Sequence, residues 1–166
     1  MAGRREVGRP ETGEALRGTV EGMHNLPHRY GVQADASDTG TVRLASAGLA
    51  DLETAPPVAF GGPGDRWSPE TLLVGAVADC FVLSFGAIAR ASSVGWSALH
   101  VEAEGVLDRV DGVTRFTEIQ LRARLTLASG ADPSKAQRAL EKAERSCMIS
   151  RSLVAPVRLE AEIVGA

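Results

Sequence analysis

Cys80 and Cys147 are the side chains best suited to covalent chemistry in this sequence, and they stand 67 residues apart with no C-x-x-C pair. A cysteine attacks as the thiolate, so a reactive one needs surroundings that lower its pKa from about 8.5. The same residue type also serves as a small core filler, because free cysteine is among the most often buried residues. Both readings suit the pattern: Cys80 falls in line with Leu73, Val77, Ser84 and Ala87, and Cys147 with Leu140 and Ala143, on apolar faces of two predicted helices. A metal site is poorly served, since His24 and His28 have i,i+4 spacing but lie in a Pro-containing stretch where no helix is expected. No metal and no other cofactor is predicted.

The first of these helices has a clear start. Ser68-Pro69-Glu70 supplies an N-cap serine, a proline at the first helical position and an acid near the positive end of the helix dipole. The helix is expected to run to about Ser92, before Gly95. Its middle, Thr71 to Ala89, is nineteen residues with Asp79 as the lone charge, long enough to cross a bilayer. Two features argue against a membrane. Asp79 sits near the centre, where a charge costs roughly 2.5 to 3.5 kcal/mol, and the many Ala, Gly and Ser residues give weak hydrophobic drive. A helix apolar on most sides belongs inside a soluble fold.

Around it the periodicity alternates. Tyr30 to Ala36 and Thr41 to Ser46 read as strands joined by a small polar turn, and the Pro- and Gly-rich stretch Gly48 to Trp67 as a long loop; one more strand early in the chain is left open. Leu99, Val101 and Ala103 alternate with His100, Glu102 and Glu104; after an Asp111-Gly112 turn, Ile119, Leu121, Ala123, Leu125 and Leu127 alternate with Gln120, Arg122 and Arg124. Phe116 is out of phase with that set, which predicts a bulge near Thr117. Asp132-Pro133 opens the second helix, with Ala136, Ala139, Leu140, Ala143 and Cys147 as its stripe, and Val157, Leu159, Ala161 and Ile163 face inward on a last strand. The order β-β-α-β-β-α-β predicts an α+β fold with a one-sided antiparallel sheet. One sheet covers only one side of the central helix, and a second copy of the chain is the simplest cover for the rest.

At 166 residues the chain fits one domain. Residues 1–27 hold four Arg, five Gly and two Pro without periodicity and read as a mobile leader ahead of a single domain, 28–166, with Met23 as a candidate internal start. A net charge of -3 removes the electrostatic footprint of nucleic-acid binding. Two cysteines are too few for a secreted disulfide framework, which leaves the cytoplasm as the expected location.

The run Arg66-Trp67-Ser68-Pro69-Glu70-Thr71-Leu72-Leu73, then Ala78-Asp79-Cys80-Phe81, and finally Cys147-Met148-Ile149-Ser150-Arg151-Ser152-Leu153 resembles the OsmC/Ohr family of thiol-dependent hydroperoxide reductases. The resemblance covers Tyr30 to the C-terminus. It implies an intertwined homodimer whose antiparallel sheets wrap around long central helices. It also implies a peroxidatic Cys80 that attacks an organic hydroperoxide, a resolving Cys147 that closes a disulfide with it, and a small dithiol or lipoylated reductant that reopens the disulfide. Apolar neighbours of Cys80 such as Trp67, Phe81 and Leu83 would favour alkyl or fatty-acid peroxides.

Members of the family typically bring an arginine to the nucleophile from the loop after the first strand, held by the glutamate that matches Glu70. Here that loop, Asp35 to Gly40, has none, so Arg66 is the expected substitute, with Arg29 and Arg43 behind it. Cys80 lies mid-helix, where its own helix N-terminus gives no help, which is why a cation is expected. Glu70 precedes it by ten residues, about 15 Å of helical rise, and reaches it only through a bend, a partner arginine or another subunit; otherwise it simply stabilises the helix start. Asp79 would slow Cys80 if it faced the thiol. The competing reading is a binding or structural stress protein with inert thiols.

Overall fold

The computed structural model describes residues 26–38 and 40–165. Met23, His24 and all but the last two residues of the expected leader lie outside them. Three short strands come first, β1 (Gln33–Ala36), β2 (Val42–Ala45) and β3 (Leu52–Thr54), in an antiparallel meander of order β1-β2-β3. β3 is the additional early strand, and it shortens the expected loop. What remains of that loop includes one 3-10 turn, Val58–Phe60, before the central helix.

That helix, α1 (Pro69–Ala91), begins where the sequence places it. The Ser68 hydroxyl accepts the Thr71 N–H at 3.2 Å while the Ser68 N–H donates to Thr71 Oγ1 at 2.8 Å, so two otherwise orphaned amides are satisfied reciprocally. Val77, Phe81, Phe85 and Ala89 form its fully buried stripe, at the helical spacing of four. By length and composition α1 could cross a membrane; its buried stripe packs on a second sheet and a second helix.

The second sheet is built from β4 (Trp96–Val110), β5 (Val113–Leu127) and β6 (Val157–Val164). β4 and β5 form a hairpin whose turn residues Asp111 and Gly112 both have positive φ, 52° and 79°. Val106 faces Glu118 but Leu107 faces Phe116, leaving Thr117 as the extra residue of a bulge; its hydroxyl donates to the Val106 carbonyl at 3.2 Å. The bulge brings Phe116 to the inner side, over Gly105, where an added Cβ would come within 2.7 Å of both the Phe116 ring and Val74 of α1.

Between β5 and β6 come α2 (Pro133–Ser146) and the single turn α3 (Met148–Arg151). The sheet departs from the expected antiparallel arrangement here: β6 runs parallel to β5, from Ile119 opposite Val157 to Thr126 opposite Val164. The helical connection carries the chain back to the end of the sheet where β5 began, so β6 leaves in the same direction. The in-out alternation is unaffected. Ile119, Leu121, Ala123, Leu125 and Leu127 meet Ala136, Ala139, Leu140 and Ala143 of α2 and the α1 stripe in one core. Arg122, Arg124 and Arg158 pair with Glu104, Glu162 and Glu118 on the outer face.

That core takes no residue from β1 to β3. The meander is joined to α1 through a Thr54–Trp67 bridge and the Ala55 N–H on the Trp67 carbonyl at 3.0 Å, and Tyr30 and Val32 beside it are exposed.

Candidate active site

The packing of α1 against α2 and α3 closes the 67-residue gap between the thiols. Cys147 is buried, but its position differs from the helical face expected for it: α2 stops at Ser146, whose hydroxyl turns back to the Lys142 carbonyl at 2.8 Å, and Cys147 takes an extended conformation (φ -61°, ψ 112°). It is the N-cap of α3, with its sulfur in the place usually held by a serine or aspartate oxygen, accepting the Ser150 N–H at 3.5 Å. Cys147 is fully buried at this turn, and α3, which follows it, packs against α1.

A helix start leaves its first amides without intrahelical partners. In α3 these donors turn to sulfur. Ser150 N–H goes to Cys147, and the amides of Met148 and Ile149, with the Cys147 thiol and the Ser84 hydroxyl, bear on the ionisation of Cys80. Burial pushes the Cys80 thiol up, but the bonds from Ile149, Cys147, Met148 and Ser84 outweigh it, and Cys80 lies below the ordinary thiol value. Cys147 lies above it, because burial raises it and donation to Cys80 raises it further, against hydrogen bonds from Ser150. Two chemically identical groups are thereby pushed apart, one toward thiolate and one toward thiol.

Among the described residues the lowering of Cys80 is attributed to neutral groups. Arg66 precedes α1, its Nη1 at 2.8 Å from Asp65 and its Nε at 3.4 Å from Glu53. Arg43 is held by Asp35 and Asp51 at 2.7 and 2.8 Å, and Arg29 is exposed. None of the three is among the groups acting on Cys80. Mid-helix placement rules out the N-terminus of α1 but not that of a neighbouring helix. Asp79 is exposed and likewise absent from the groups acting on the thiol.

Glu70 sits in the first turn of α1, which continues without interruption past Cys80, so the two are separated by about 15 Å of helix. Its Oε2 is buried without a hydrogen-bond partner and borders a cavity of about 810 Å³ between α1 and the β4–β5 hairpin, lined by Phe60, Trp67, Val74, Phe116 and Arg109 among others. The cavity follows the Thr71, Val74 and Ala78 face of α1; Cys80, two residues past Ala78, points about 200° away. Of the expected apolar neighbours of the thiol, Trp67 lines this cavity and Phe81 is in the core; Leu83 is exposed one turn from Cys80, with exposed Met148 at the start of α3. The residues missed in sequence, Ser84 and the amides of Met148 and Ile149, had one visible signal, the i,i+4 spacing of Cys80 and Ser84.

A family model described as OsmC-like protein matches residues 62–162, from before α1 into β6. This chain belongs to the OsmC-like family. A curated relative, the uncharacterised protein YmaD of Bacillus subtilis (strain 168), is 32% identical over 129 residues, 76% of this chain and 84% of that one. Among solved structures, an OsmC-like protein of unknown function from Vibrio cholerae has a TM-score of 0.75 at 17% identity, covering 83% of this chain and 100% of the other. An organic hydroperoxide resistance protein from Elizabethkingia anophelis has a TM-score of 0.66 at 20% identity, with 85% and 100% covered. The OsmC-like fold is common to all of these structures, and some of its bearers are named for resistance to organic hydroperoxides.

Proposed function

We propose that this OsmC-like chain is a thiol-dependent reductase of organic hydroperoxides. What supports the reading is the meeting of two free thiols where α3 packs on α1, Cys80 disposed toward thiolate and Cys147 toward thiol. Cys80, as thiolate, attacks the terminal peroxide oxygen; the O–O bond breaks, the alkoxide leaves and takes a proton, and Cys80 becomes a sulfenic acid. Cys147 attacks that sulfur, a disulfide forms and water leaves. A small dithiol or a lipoylated protein then reduces the disulfide by two exchanges, ending as a disulfide itself. Keeping Cys147 as a thiol until Cys80 is oxidised suits this order, since its proton leaves with the hydroxyl. Exposed Leu83, one turn along α1 from Cys80, and exposed Met148 at the start of α3 suit an alkyl substituent over hydrogen peroxide, each buried apolar Å² being worth about 25 cal/mol.

The working form is a homodimer. A three-stranded meander outside the core and an unpartnered Glu70 oxygen are both features that a second copy would complete. Sedimentation at micromolar concentration should give twice the monomer mass, and a monomer would remove this part. We place the activity in the cytoplasm, without nucleic acid or membrane.

The test is consumption of an organic hydroperoxide by purified protein with and without dithiol, followed by mass spectrometry after one equivalent of peroxide. A Cys80–Cys147 disulfide and dithiol-dependent turnover are expected. Slow, equal oxidation of both cysteines would instead favour a binding or structural protein with inert thiols, a reading supported by the lack of an arginine, among the described residues, in the set of groups named as acting on Cys80.

A further inference from the structure

We propose that the reductant opens the Cys80–Cys147 disulfide at the Cys80 sulfur, so that Cys147 is the leaving group and the mixed disulfide is carried by Cys80. This order rests on the disulfide of the proposed function and is readable without peroxide. In thiol–disulfide exchange the incoming thiolate has two sulfurs to choose from, and the choice is set by access and by the acidity of the group that leaves.

Access differs between the two residues. Cys147 is 0% exposed, whereas Cys80 is partly exposed, with exposed Leu83 one turn along α1 and exposed Met148 at the start of α3. Cys147 is also held at three atoms. Its N–H donates to the Glu144 carbonyl at 3.3 Å, its carbonyl accepts the Arg151 N–H at 3.1 Å, and its sulfur accepts the Ser150 N–H at 3.5 Å. Because Cys147 is at once the C-cap of α2 and the N-cap of α3, bringing its sulfur to solvent breaks the junction of the two helices.

Acidity points the other way, and by less. Cys80 lies below the ordinary thiol value and Cys147 above it, so leaving-group strength alone favours attack on Cys147. With a Brønsted coefficient of about 0.5, as for attacking thiols, this is a factor of about three per pH unit. A buried sulfur reacts only in molecules that have opened around it, and an opening populated at about one per cent already slows attack about a hundredfold.

The resulting sequence of steps uses both thiols. The reductant's thiol gives up its proton and its sulfur bonds to Cys80; the Cys80–Cys147 bond breaks, and Cys147 leaves with the electron pair, facing the Ser150 N–H, and takes a proton. With its raised pKa Cys147 then stays a thiol and does not attack back. The reductant's second thiol attacks its own sulfur in the mixed disulfide, Cys80 leaves as the more acidic thiolate, and the reductant ends as a disulfide.

The experiment oxidises reduced protein with diamide to the Cys80–Cys147 disulfide, exposes it briefly to mercaptoethanol, quenches in acid and alkylates free thiols with N-ethylmaleimide. Mercaptoethanol has a single thiol, so the first exchange is caught. Peptide mass spectrometry should find it on Cys80 and the maleimide on Cys147, in about tenfold or greater excess over the opposite arrangement. In guanidinium, where burial is lost, the two sulfurs should be attacked about equally. Mercaptoethanol equally or chiefly on Cys147 in the folded protein, an excess on Cys80 that survives denaturation, or a failure of diamide to form the disulfide overturns the proposal. Peroxide turnover is read separately: an adduct on Cys147 in a protein that consumes hydroperoxide overturns this order and keeps the peroxidase reading, and an adduct on Cys80 in one that consumes none does the reverse.

Discussion

The two polar regions of α1 differ in how far one chain completes them. At Cys80 four groups of the same chain, drawn from α1, the Cys147 cap and α3, favour the thiolate. At Glu70, about 15 Å along the same helix, a carboxylate oxygen is buried without a partner beside a large apolar cavity. A buried carboxylate oxygen left without a partner is costly, so the second region reads as half of a contact. The groups that bear on the Cys80 thiol lie within one chain, and under the proposed dimer the incomplete contact is left to assembly.

The sharpest way to break this division is at the thiols. Cys80→Ser should lower peroxide reduction on the order of 10³-fold or more, since a hydroxyl is a far poorer nucleophile at neutral pH. Cys147→Ser should allow one oxidation and then stall, seen by mass spectrometry as a one-oxygen adduct on Cys80. A stable adduct on Cys147 in the Cys80→Ser protein, formed as fast as the native disulfide, would reverse the roles.

A second prediction uses the cavity side. Gly105→Ala forces a Cβ within 2.7 Å of Phe116 and Val74, and overpacking of this kind costs about 1 to 3 kcal/mol. Thermal melting should show that loss while Cys80 alkylation keeps its rate. A changed alkylation rate would mean that the two regions are coupled.

pH separates the thiols themselves. With Cys80 lowered and Cys147 raised, alkylation of Cys80 should persist as pH falls below the ordinary thiol range and decline through its lowered pKa, whereas Cys147 should react only above that range. Coincident profiles would contradict the asymmetry. The smallest effect is expected for Arg66→Ala. Its exposed pairs with Asp65 and Glu53 are weak, so the peroxide rate should stay within about twofold of the parent. A loss of a hundredfold would show that Arg66 serves a thiol across the dimer, and the local account of Cys80 would fall.

The element order, the start of α1 at Ser68-Pro69 and the bulge at Thr117 were legible in the sequence because capping and side-chain alternation are local: a residue's neighbours in the chain decide them. The two cysteines were legible as candidates for the same reason, through the motifs around each. The parallel pairing of β6, the break of α2 at Ser146 and the identity of the donors to Cys80 were decided by tertiary structure. Backbone amides of Met148 and Ile149 leave no mark on residue type, and their meeting with Cys80 depends on how α3 docks on α1. Sequence chemistry pointed to an arginine because only side chains can be read from letters; the fold supplied the positive ends of peptide dipoles, which every residue but proline carries.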